Sequence, residues 1–410
     1  MKAHLWQDTI VVEYEGQTYL YSLVSKKAAK VKGANLKVAE LQKVLGGKGF
    51  FNEVVIKEND PPIGTGPLFL LLTRDCPLAC LYCYANAGMK KESMPLDIAI
   101  RAVGAYLKLN PPLPNVRFGG GGEPTLEKNL IRKVIESFEK QQIFWSMITS
   151  GVTDEKFLTW LIDRRVNITF SIDGPPEIQN LHRPLKSGSS SSEIVERNCK
   201  IYRERRGKLH VRCTISKISI ENLNEITSYF KKLAVTMLSV EPVYPMGRGA
   251  NPLNNYLIPK PEETLRALIR LLEWGRQNNV VVRTIALFHP SFSTGLTYCG
   301  PINGTAIVVN HQGYLLGCGE ALDTQHPFWH IWCIGRLDGS NFVIDYQKVD
   351  HLLKTTTVAN MKPCQSCFAK YVCRGGCPMR RLWQTGKLNQ PDPYHCFVAK
   401  HLLQSLVIRM

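Results

Sequence analysis

Residues 68–83 have the sequence LFLLLTRDCPLACLYC, an apolar run that leads directly into three closely spaced cysteines. The apolar run, Leu68–Thr73, has the length and composition of a buried β-strand. Cys76, Cys80 and Cys83 follow in one short loop, where three thiolates can bind three irons of a 4Fe-4S cubane and leave the fourth iron open. That open iron can chelate a small molecule through an amine and a carboxylate. Zinc is the alternative, although zinc sites usually close with four protein ligands and favour two-residue spacings.

The chain beyond this loop repeats the order strand, loop, helix. The predicted strands are Leu68–Thr73, Asn115–Phe118, Ile143–Thr149, Val166–Ile172, Leu209–Ile215 and Val235–Val240. Helical stretches lie near 95–109, 128–141, 153–164, 190–207, 220–232 and 261–277. Strands that alternate with helices predict a parallel sheet of right-handed crossover units, either open or closed into a partial barrel. In both forms ligands bind at the carboxyl ends of the strands, where the cysteine loop lies.

A small separate unit is predicted before this sheet. Ile10–Tyr21 predicts two strands around a glycine turn, and Lys37–Leu45 predicts a short helix. Pro61 and Pro62 then begin a linker. The chain is accordingly expected to divide into residues 1–62, 63–285 and 286–410. We expect the first unit either to contact a peptide substrate or only to cap the barrel.

A glycine run follows the second predicted strand. Gly120, Gly121 and Gly122 allow the backbone to approach a ligand closely and to expose its carbonyl oxygens, which suit an ammonium group. Glu123 adds a carboxylate at the same place. A glycine run is more often a plain turn, but its position at the carboxyl end of a strand favours a binding site.

Seven cysteines recur in the C-terminal region. They are Cys299, Cys318, Cys364, Cys367, Cys373, Cys377 and Cys396. Thirteen cysteines in a secreted protein would suggest disulfides, but the count is odd and the N-terminus shows no export signal. In a reducing cytosol, clustered thiols are more often metal ligands. Four thiolates from this array could form either a zinc site or an iron–sulfur site.

Three motifs together resemble the radical S-adenosylmethionine (radical SAM) superfamily. They are the CxxxCxxC loop with Tyr82 before its last cysteine, the GGEP segment that ends at Pro124, and the SIDGP segment Ser171–Pro175. The resemblance implies a partial (β/α)6 TIM-like barrel, an α/β fold. It also implies that the loop cluster donates one electron to the sulfonium of S-adenosylmethionine. Homolysis then yields methionine and a 5′-deoxyadenosyl radical that abstracts hydrogen from a substrate.

The same resemblance implies which residues contact the cofactor. These are Tyr82, Gly120, Gly121, Gly122, Glu123, Ser171 and Arg183. The planar guanidinium of Arg183 suits a carboxylate. Pairing of Arg183 with a nearby acid for stability is the alternative.

The C-terminal cysteine spacing resembles the SPASM domain, which carries auxiliary iron–sulfur clusters in enzymes that modify peptides and proteins. The resemblance implies three 4Fe-4S clusters in all. It gives Cys299, Cys318 and Cys377 to the first auxiliary cluster. The second receives Cys364, Cys367, Cys373 and Cys396. Either Cys333 completes the first cluster or its fourth iron is open to solvent or substrate, and we expect the open site.

Composition limits the partners of the chain. An apolar content of 44% and a charged content of 21% are typical of a soluble globular protein, and no apolar stretch is long enough to span a membrane. We expect a cytoplasmic enzyme. The formal charge of +17, reduced by roughly four charges on three thiolate-bound clusters, favours an acidic peptide or nucleic acid, or simply a solvated basic surface.

Three functions are compatible with these patterns. The first is maturation of a ribosomally made precursor peptide with an acidic leader, by cross-linking, oxidation or excision. It would use an electron donor such as flavodoxin or ferredoxin, and a separate leader-binding protein is plausible. The second is formylglycine formation by an anaerobic sulfatase maturase, but Gly319-Glu320 follows Cys318 where that family typically has an Asp base. The third is an iron–sulfur or zinc module that binds RNA; no recognisable motif supports it, and we expect no nucleic-acid partner.

Overall fold

The computed structural model describes residues 1–33, 36–53, 63–287 and 296–410. Within these ranges, no helix combines the length and the apolar character needed to cross a membrane. The predicted linker residues Pro61 and Pro62 lie outside the described residues.

The N-terminal residues form a four-stranded antiparallel sheet with its strands in chain order. The strands are β1 (Lys2–Trp6), β2 (Thr9–Tyr14), β3 (Gln17–Ser22) and β4 (Ala28–Lys32). The predicted hairpin is β2 and β3, whereas the two outer strands are absent from the prediction. The predicted helix is α1 (Val38–Leu45), and its Leu41 and Leu45 pack with Val11 and Leu20 of the sheet.

Seven parallel strands form the central sheet, and each lies beside the strand that precedes it in sequence. They are β5 (Leu68–Leu70), β6 (Asn115–Phe118), β7 (Phe144–Thr149), β8 (Asn167–Ser171), β9 (His210–Ile215), β10 (Met237–Pro242) and β11 (Val281–Thr284). The six predicted strands are β5–β10, which confirms the predicted α/β fold. The seventh strand, β11, is absent from the prediction.

Eight helices connect these strands. They are α2 (Leu96–Lys108), α3 (Lys128–Ser137), α4 (Glu155–Asp163), α5 (Pro176–His182), α6 (Ser192–Arg206), α7 (Lys217–Glu221), α8 (Leu223–Lys232) and α9 (Pro261–Gln277). The helix predicted near 220–232 is thus two helices separated by Asn222. Their apolar faces cover the sheet, and residues such as Leu70, Phe118 and Phe170 are fully buried beneath them. Each such side chain contributes about 1.5–3 kcal/mol of burial energy.

The C-terminal region continues the same sheet. Its strands are β12 (Ile307–Val309), β13 (Tyr314–Leu316), β14 (Cys333–Asp338) and β15 (Asn341–Ile344). β12 pairs in parallel with β5, and the following strands are antiparallel. The helices are α10 (Trp329–Trp332), α11 (Tyr346–Thr356), α12 (Lys370–Cys373), α13 (Pro378–Thr385) and α14 (Pro393–Arg409). The last of them, α14, contacts α9 and the N-terminal strands β2 and β3.

The carboxyl ends of β5, β6, β7 and β8 lie at one edge of the sheet because these strands are parallel. The cysteine loop, the glycine run, the segment after Thr149 and the SIDGP segment follow these four strands in turn. The fold therefore brings the sequence motifs to a single edge.

Candidate active site

Cys76, Cys80 and Cys83 lie together in the loop after β5. Burial, and then the negative charges of Glu123, Cys80 and Cys83, raise the pKa of the Cys76 thiol. Burial likewise raises the pKa of Cys80 to about 11, while Arg183 acts in the opposite direction. Buried thiols of this kind ionise when a metal binds them.

Two segments hold the cysteine loop through its backbone. The Ala79 and Leu81 amides donate to the carbonyl oxygens of Pro184 and His182, at 2.8 and 3.0 Å. From the other side, Arg248 donates to the carbonyl oxygen of Cys80 at 2.7 Å through Nε and to that of Ala87 at 2.9 Å through Nη1. The loop is thus fixed along its length without use of the thiols.

Arg248 is a functional residue that the sequence reasoning missed. The sequence did contain one signal, the glycine Gly247 that precedes Arg248. Gly247 has a φ of +54°, and a Cβ at this position would overlap the carbonyl oxygen of Cys83. Only glycine allows the chain to pass this close to the cysteine loop. The Arg248 amide then donates to the Cys83 carbonyl oxygen at 2.9 Å.

The glycine run lies against the entry to the cysteine loop. The Gly122 amide donates to Thr73 and the Glu123 amide to Asp75, both at 2.8 Å. A Cβ at Gly122 would overlap the carbonyl oxygen of Asp75. Gly120 and Gly121 have φ of +83° and +75°, in the left-handed region. The glycines therefore allow close packing of the backbone against the cysteine loop. The contact with a ligand that the sequence analysis expected of them stays a prediction.

Glu123 is buried and already accepts four hydrogen bonds. Its Oε1 accepts from the Thr125 amide and hydroxyl and from the Thr149 hydroxyl, at 3.0, 2.8 and 2.6 Å. Its Oε2 accepts from the Ser150 amide at 2.7 Å. The carboxylate thus joins the loops after β6 and β7. A direct contact of Glu123 with a cofactor stays a prediction.

Arg183 forms a buried ion pair with Asp173. Its Nε and Nη2 lie 3.0 and 3.2 Å from the two carboxylate oxygens, and the Tyr82 hydroxyl also donates to Asp173. Burial opposes ionisation, but Arg183 and His182 hold the pKa of Asp173 well below its ordinary value. This is the pairing with an acid that the sequence left open as an alternative. Ser171, at the end of β8, is buried beside it, and the cofactor contacts of both residues stay predictions.

The C-terminal cysteines gather in two groups. Burial raises the pKa of the thiols of Cys299, Cys318 and Cys377. The charge of Cys377 adds to this effect at Cys299 and, after that of Glu320, at Cys318. The second group lines a cavity of about 220 Å³ and consists of Cys364, Cys367, Cys373 and Cys396. Whether each group binds a cluster stays a prediction.

The remaining cysteines lie away from both groups. Cys333 begins β14, where its thiol faces the Gly335 carbonyl oxygen at 3.8 Å and its charged neighbours are Lys348 and Asp345. Cys199 and Cys213 are buried in the apolar core.

A single metal ion and a 4Fe-4S cluster require thiols at different spacings. Within the described ranges, no three His, Cys, Asp or Glu side chains converge closely enough to hold one metal ion. Four sulfurs around one zinc ion each lie about 2.3 Å from it. Thiolates at the corners of a cubane are farther apart, since each binds a different iron.

A charged cluster lies near both the cysteine loop and the first C-terminal group. Arg212 and Arg380 share Glu241, at 2.9 and 3.1 Å, and the Arg380 guanidinium lies 3.7 Å from the centre of the Tyr244 ring. Tyr84, the residue after Cys83, is 38% exposed. Burial and then the charge of Glu320 raise the pKa of Tyr84, so Glu320 lies on the same side. The sequence analysis missed the two arginines because they become neighbours only in the folded chain.

Comparison with known proteins agrees with this geometry. The model of the radical SAM superfamily matches residues 70–231. The cysteine-type anaerobic sulfatase-maturating enzyme of Clostridium perfringens is 23% identical over 342 residues, which cover 76% of this chain and 89% of that enzyme. The mycofactocin maturase MftC of Mycolicibacterium smegmatis is 22% identical over 335 residues, which cover 78% of this chain and 80% of that protein.

Two solved structures share the fold. The native sulfatase-maturating enzyme anSMEcpe with bound AdoMet superposes with a TM-score of 0.65 at 19% identity, covering 84% of this chain and 98% of that one. Streptococcus suis SuiB bound to its precursor peptide SuiA superposes with a TM-score of 0.59 at 12% identity, covering 96% and 99%. With the cysteine loop at the carboxyl edge of a parallel α/β sheet and the match to the radical SAM superfamily over that same region, the chain is a radical SAM enzyme that uses S-adenosylmethionine and a 4Fe-4S cluster.

Proposed function

We propose that this enzyme matures a ribosomally made precursor peptide by abstracting hydrogen from one of its residues. The observation that carries the proposal is this charged cluster, and we infer that the space beside it is a substrate cleft between the cysteine loop and the group of Cys299, Cys318 and Cys377. Tyr84 and Glu320 both border it. A peptide side chain in the cleft would lie next to the reactive centre and to the first auxiliary cluster together.

The proposal includes three 4Fe-4S clusters. The loop cluster is held by Cys76, Cys80 and Cys83, and the first auxiliary cluster by Cys299, Cys318 and Cys377. The second auxiliary cluster is held by Cys364, Cys367, Cys373 and Cys396. When bound, the loop cluster and S-adenosylmethionine supply a 5′-deoxyadenosyl radical. The cavity of about 220 Å³ supports a second auxiliary cluster rather than four packed thiols.

The polypeptide's own task is to bind and orient the reactants. The Asp173–Arg183 pair holds the side chain of Tyr82, which belongs to the cysteine loop. The Arg183 guanidinium lies 5.3 Å from the centre of the Tyr82 ring. Glu123 fixes the loops after β6 and β7, against which S-adenosylmethionine would rest. Arg212 and Arg380 share Glu241, and their remaining N–H groups could donate to carbonyl oxygens of a bound peptide.

Relatives support a peptide substrate. SuiB was solved with a precursor peptide, and MftC is named as the maturase of mycofactocin. The formal charge of +17 favours an acidic leader segment. We further propose that the N-terminal sheet or a separate protein binds this leader and that a flavodoxin or ferredoxin supplies electrons.

Formylglycine formation is the second candidate. The relative from Clostridium perfringens, a cysteine-type anaerobic sulfatase-maturating enzyme, aligns along 89% of its own length. The cleft also holds a carboxylate, Glu320, close to the position of the Asp that this chain lacks. These two observations favour a sulfatase peptide as the alternative substrate.

One experiment compares the two substrates. The anaerobically reconstituted enzyme is reduced and given S-adenosylmethionine with either a peptide encoded beside its own gene or a Cys- or Ser-containing sulfatase peptide. We expect 5′-deoxyadenosine with both additions, but a mass change only in the neighbouring precursor. Formylglycine in the sulfatase peptide would establish the alternative instead. If neither peptide changes and 5′-deoxyadenosine does not form, although iron and sulfide match three clusters, the peptide-maturase proposal is wrong.

A further inference from the structure

Arg212 lies beside a residue that is expected to contact the cofactor. Alternate residues of β9 belong to the apolar core, and Arg212 lies on the opposite, partly exposed face of the strand. In the register of β8 and β9 it pairs with Ser171, so the two side chains leave the sheet on the same face. The motifs of the cofactor site follow β5 to β8. Arg212 is therefore next to that site, but on a strand that carries none of its motifs.

Two guanidinium groups share one carboxylate in the charged cluster. Glu241 accepts from Nη2 of Arg212 at 2.9 Å and from Nη2 of Arg380 at 3.1 Å. Within the part of the chain that the structure describes, no other carboxylate forms an ion pair with either arginine, and Glu320 lies beyond that range. Two positive charges thus face one negative charge at close range. Arg380 is only 7% exposed, and excess charge that is largely removed from water is costly unless an opposite charge pairs with it.

Both guanidinium groups also have donors to spare. Among the described residues, the Arg212 side chain makes a single hydrogen bond, the one to Glu241, and 38% of that side chain is exposed. Nη1 of Arg380 is buried and has no partner in the same residues. A guanidinium group offers a planar pair of N–H donors that matches the two oxygens of a carboxylate. A ligand that arrives from solvent therefore finds its donor at Arg212.

Packing contacts join these arginines to the cysteine loop. The Arg380 guanidinium lies 3.7 Å from the centre of the Tyr244 ring. Gly249 packs against the backbone of Tyr244 and of Tyr82, since a Cβ at Gly249 would lie 2.5 Å from the Tyr244 carbonyl oxygen and 3.5 Å from the Tyr82 Cα. Tyr82 is part of the loop that contains the three predicted cluster ligands. A group bound at Arg212 would thus be held close to the reactive centre.

Building on the proposed function, we propose that Arg212 binds a carboxylate of the substrate peptide, with Arg380 as the second positive charge of the site. The carboxylate belongs either to an Asp or Glu side chain or to the C-terminus of the peptide. Its ion pair with Arg212 positions the residue that is attacked relative to the cofactor. Glu241 keeps the two arginines together before the peptide binds.

A binding experiment measures how one charge of the peptide and one arginine depend on each other. The probe is the precursor peptide encoded beside the gene, labelled with fluorescein, and its dissociation constant is measured by fluorescence anisotropy. The enzyme is anaerobically reconstituted, oxidised and saturated with S-adenosylmethionine. Each Asp or Glu of the peptide is replaced in turn by Asn or Gln, and a further peptide is amidated at its C-terminus. We expect one of these changes to weaken binding about tenfold to the unsubstituted enzyme and hardly at all to Arg212→Gln; which change does so identifies the carboxylate.

Two further variants complete the comparison. Arg212→Lys keeps the charge without the planar fork and should retain only part of the preference for the acidic peptide. Arg101→Gln, which removes an arginine that pairs with Asp97 at 2.9 Å on α2, is the matched control and should keep the whole preference. Iron and sulfide analysis shows whether each variant has loaded its clusters. If Arg212→Gln has not, the comparison is made with Arg212→Lys, and a full preference there contradicts the inference.

The inference is overturned if no loss of a peptide carboxylate weakens binding, or if the same loss weakens binding equally in Arg212→Gln. Equilibrium dialysis of S-adenosylmethionine provides a second check. Weaker cofactor binding in Arg212→Gln, with the preference for the acidic peptide intact, would assign Arg212 to the cofactor and contradict the inference. A peptide that is modified without any dependence on its carboxylates counts against this inference alone, whereas a peptide that neither binds nor changes mass counts against the proposed function as well.

Discussion

Arg248 shows how a single side chain can determine the conformation of the reactive loop. It reaches the carbonyl oxygen of Cys80 from 168 residues further along the chain, and the carbonyl oxygen of Ala87 from 161. Both hydrogen bonds are charge-assisted, and both acceptors are backbone carbonyl oxygens that lie outside any helix or strand. The loop shape that three thiolates need is therefore imposed from outside the loop.

Replacing this arginine tests that dependence. In Arg248→Met the two carbonyl oxygens lose their donor, at a cost of about 1.5–3 kcal/mol for each bond. We expect the loop cluster to be lost and 5′-deoxyadenosine formation to fall by about tenfold or more, while the auxiliary iron stays bound. Iron and sulfide analysis with product chromatography measures both. Arg164→Met, which removes an exposed pair with Glu139, is the control; equal losses in both variants would contradict this prediction.

His326 gives the protein a pH-dependent stability. Burial, assisted by Arg74, lowers the pKa of His326 to about 4, and its Nδ1 accepts from the Phe328 amide at 3.2 Å. The unfolded chain binds a proton near pH 6.5, so between about pH 6.5 and 4 it holds more protons than the folded chain. Stability therefore falls as the pH is lowered through that range, by at most about 1.4 kcal/mol per pH unit.

The substitution His326→Asn keeps an acceptor for the Phe328 amide but removes the titrating ring. Urea unfolding of the cluster-free protein at a series of pH values should show a shallower slope in the variant. Identical slopes between pH 6.5 and 4 would show that His326 makes no contribution.

At the level of elements, the sequence predicts best what depends on local pattern. Strands β5–β10 and their helices follow from buried apolar runs separated by amphipathic segments. The short strands β1, β4 and β11 are absent from the prediction because exposed or polar residues interrupt them, as in Ala28–Lys32. The cleft residues Arg212 and Arg380 could not be predicted, since their proximity depends on how β9 and α13 meet.

A substitution can test whether Glu123 holds the loops after β6 and β7 together. In Glu123→Gln an amide nitrogen replaces one carboxylate oxygen. This nitrogen faces either the Ser150 amide or the Thr149 hydroxyl, so one of these donors loses its acceptor. The lost hydrogen bond lowers the stability by about 1–3 kcal/mol. We expect S-adenosylmethionine to bind roughly tenfold more weakly, with iron content preserved, as measured by equilibrium dialysis. Glu127→Gln, four residues away on the same loop, is the matched control and should bind normally. Unaltered binding in Glu123→Gln would show that the loops keep their shape without it.

Over the whole molecule, the C-terminal region is joined to both other parts. β12 extends the central sheet through β5, and α14 contacts α9 and the N-terminal sheet. Tyr394 at the start of α14 shares a hydrogen bond of 2.5 Å with Thr264 of α9. The predicted boundary near residue 285 is thus crossed by a continuous hydrogen-bond ladder.

Because of these contacts, we expect a substitution that destabilises α14 to destabilise α9 and the N-terminal sheet as well. Leu402 is fully buried in that helix, and Leu402→Ala should lower the free energy of unfolding by about 2–5 kcal/mol. Hydrogen exchange should then rise in α9 and in β2 and β3 as well as in α14. Leu113→Ala, at a residue that is 81% exposed, is the control and should change little. Faster exchange confined to α14 would contradict the prediction.

The ladder between β5 and β12 also determines how electrons can move. Neighbouring strands lie about 4.8 Å apart, and Cys76 follows one of these two strands while Cys299 precedes the other. Tunnelling between two iron centres slows exponentially with the gap between them. Because the strands nearest to both proposed centres are joined in one ladder, we expect the gap between the centres to change little when a peptide enters or leaves the cleft.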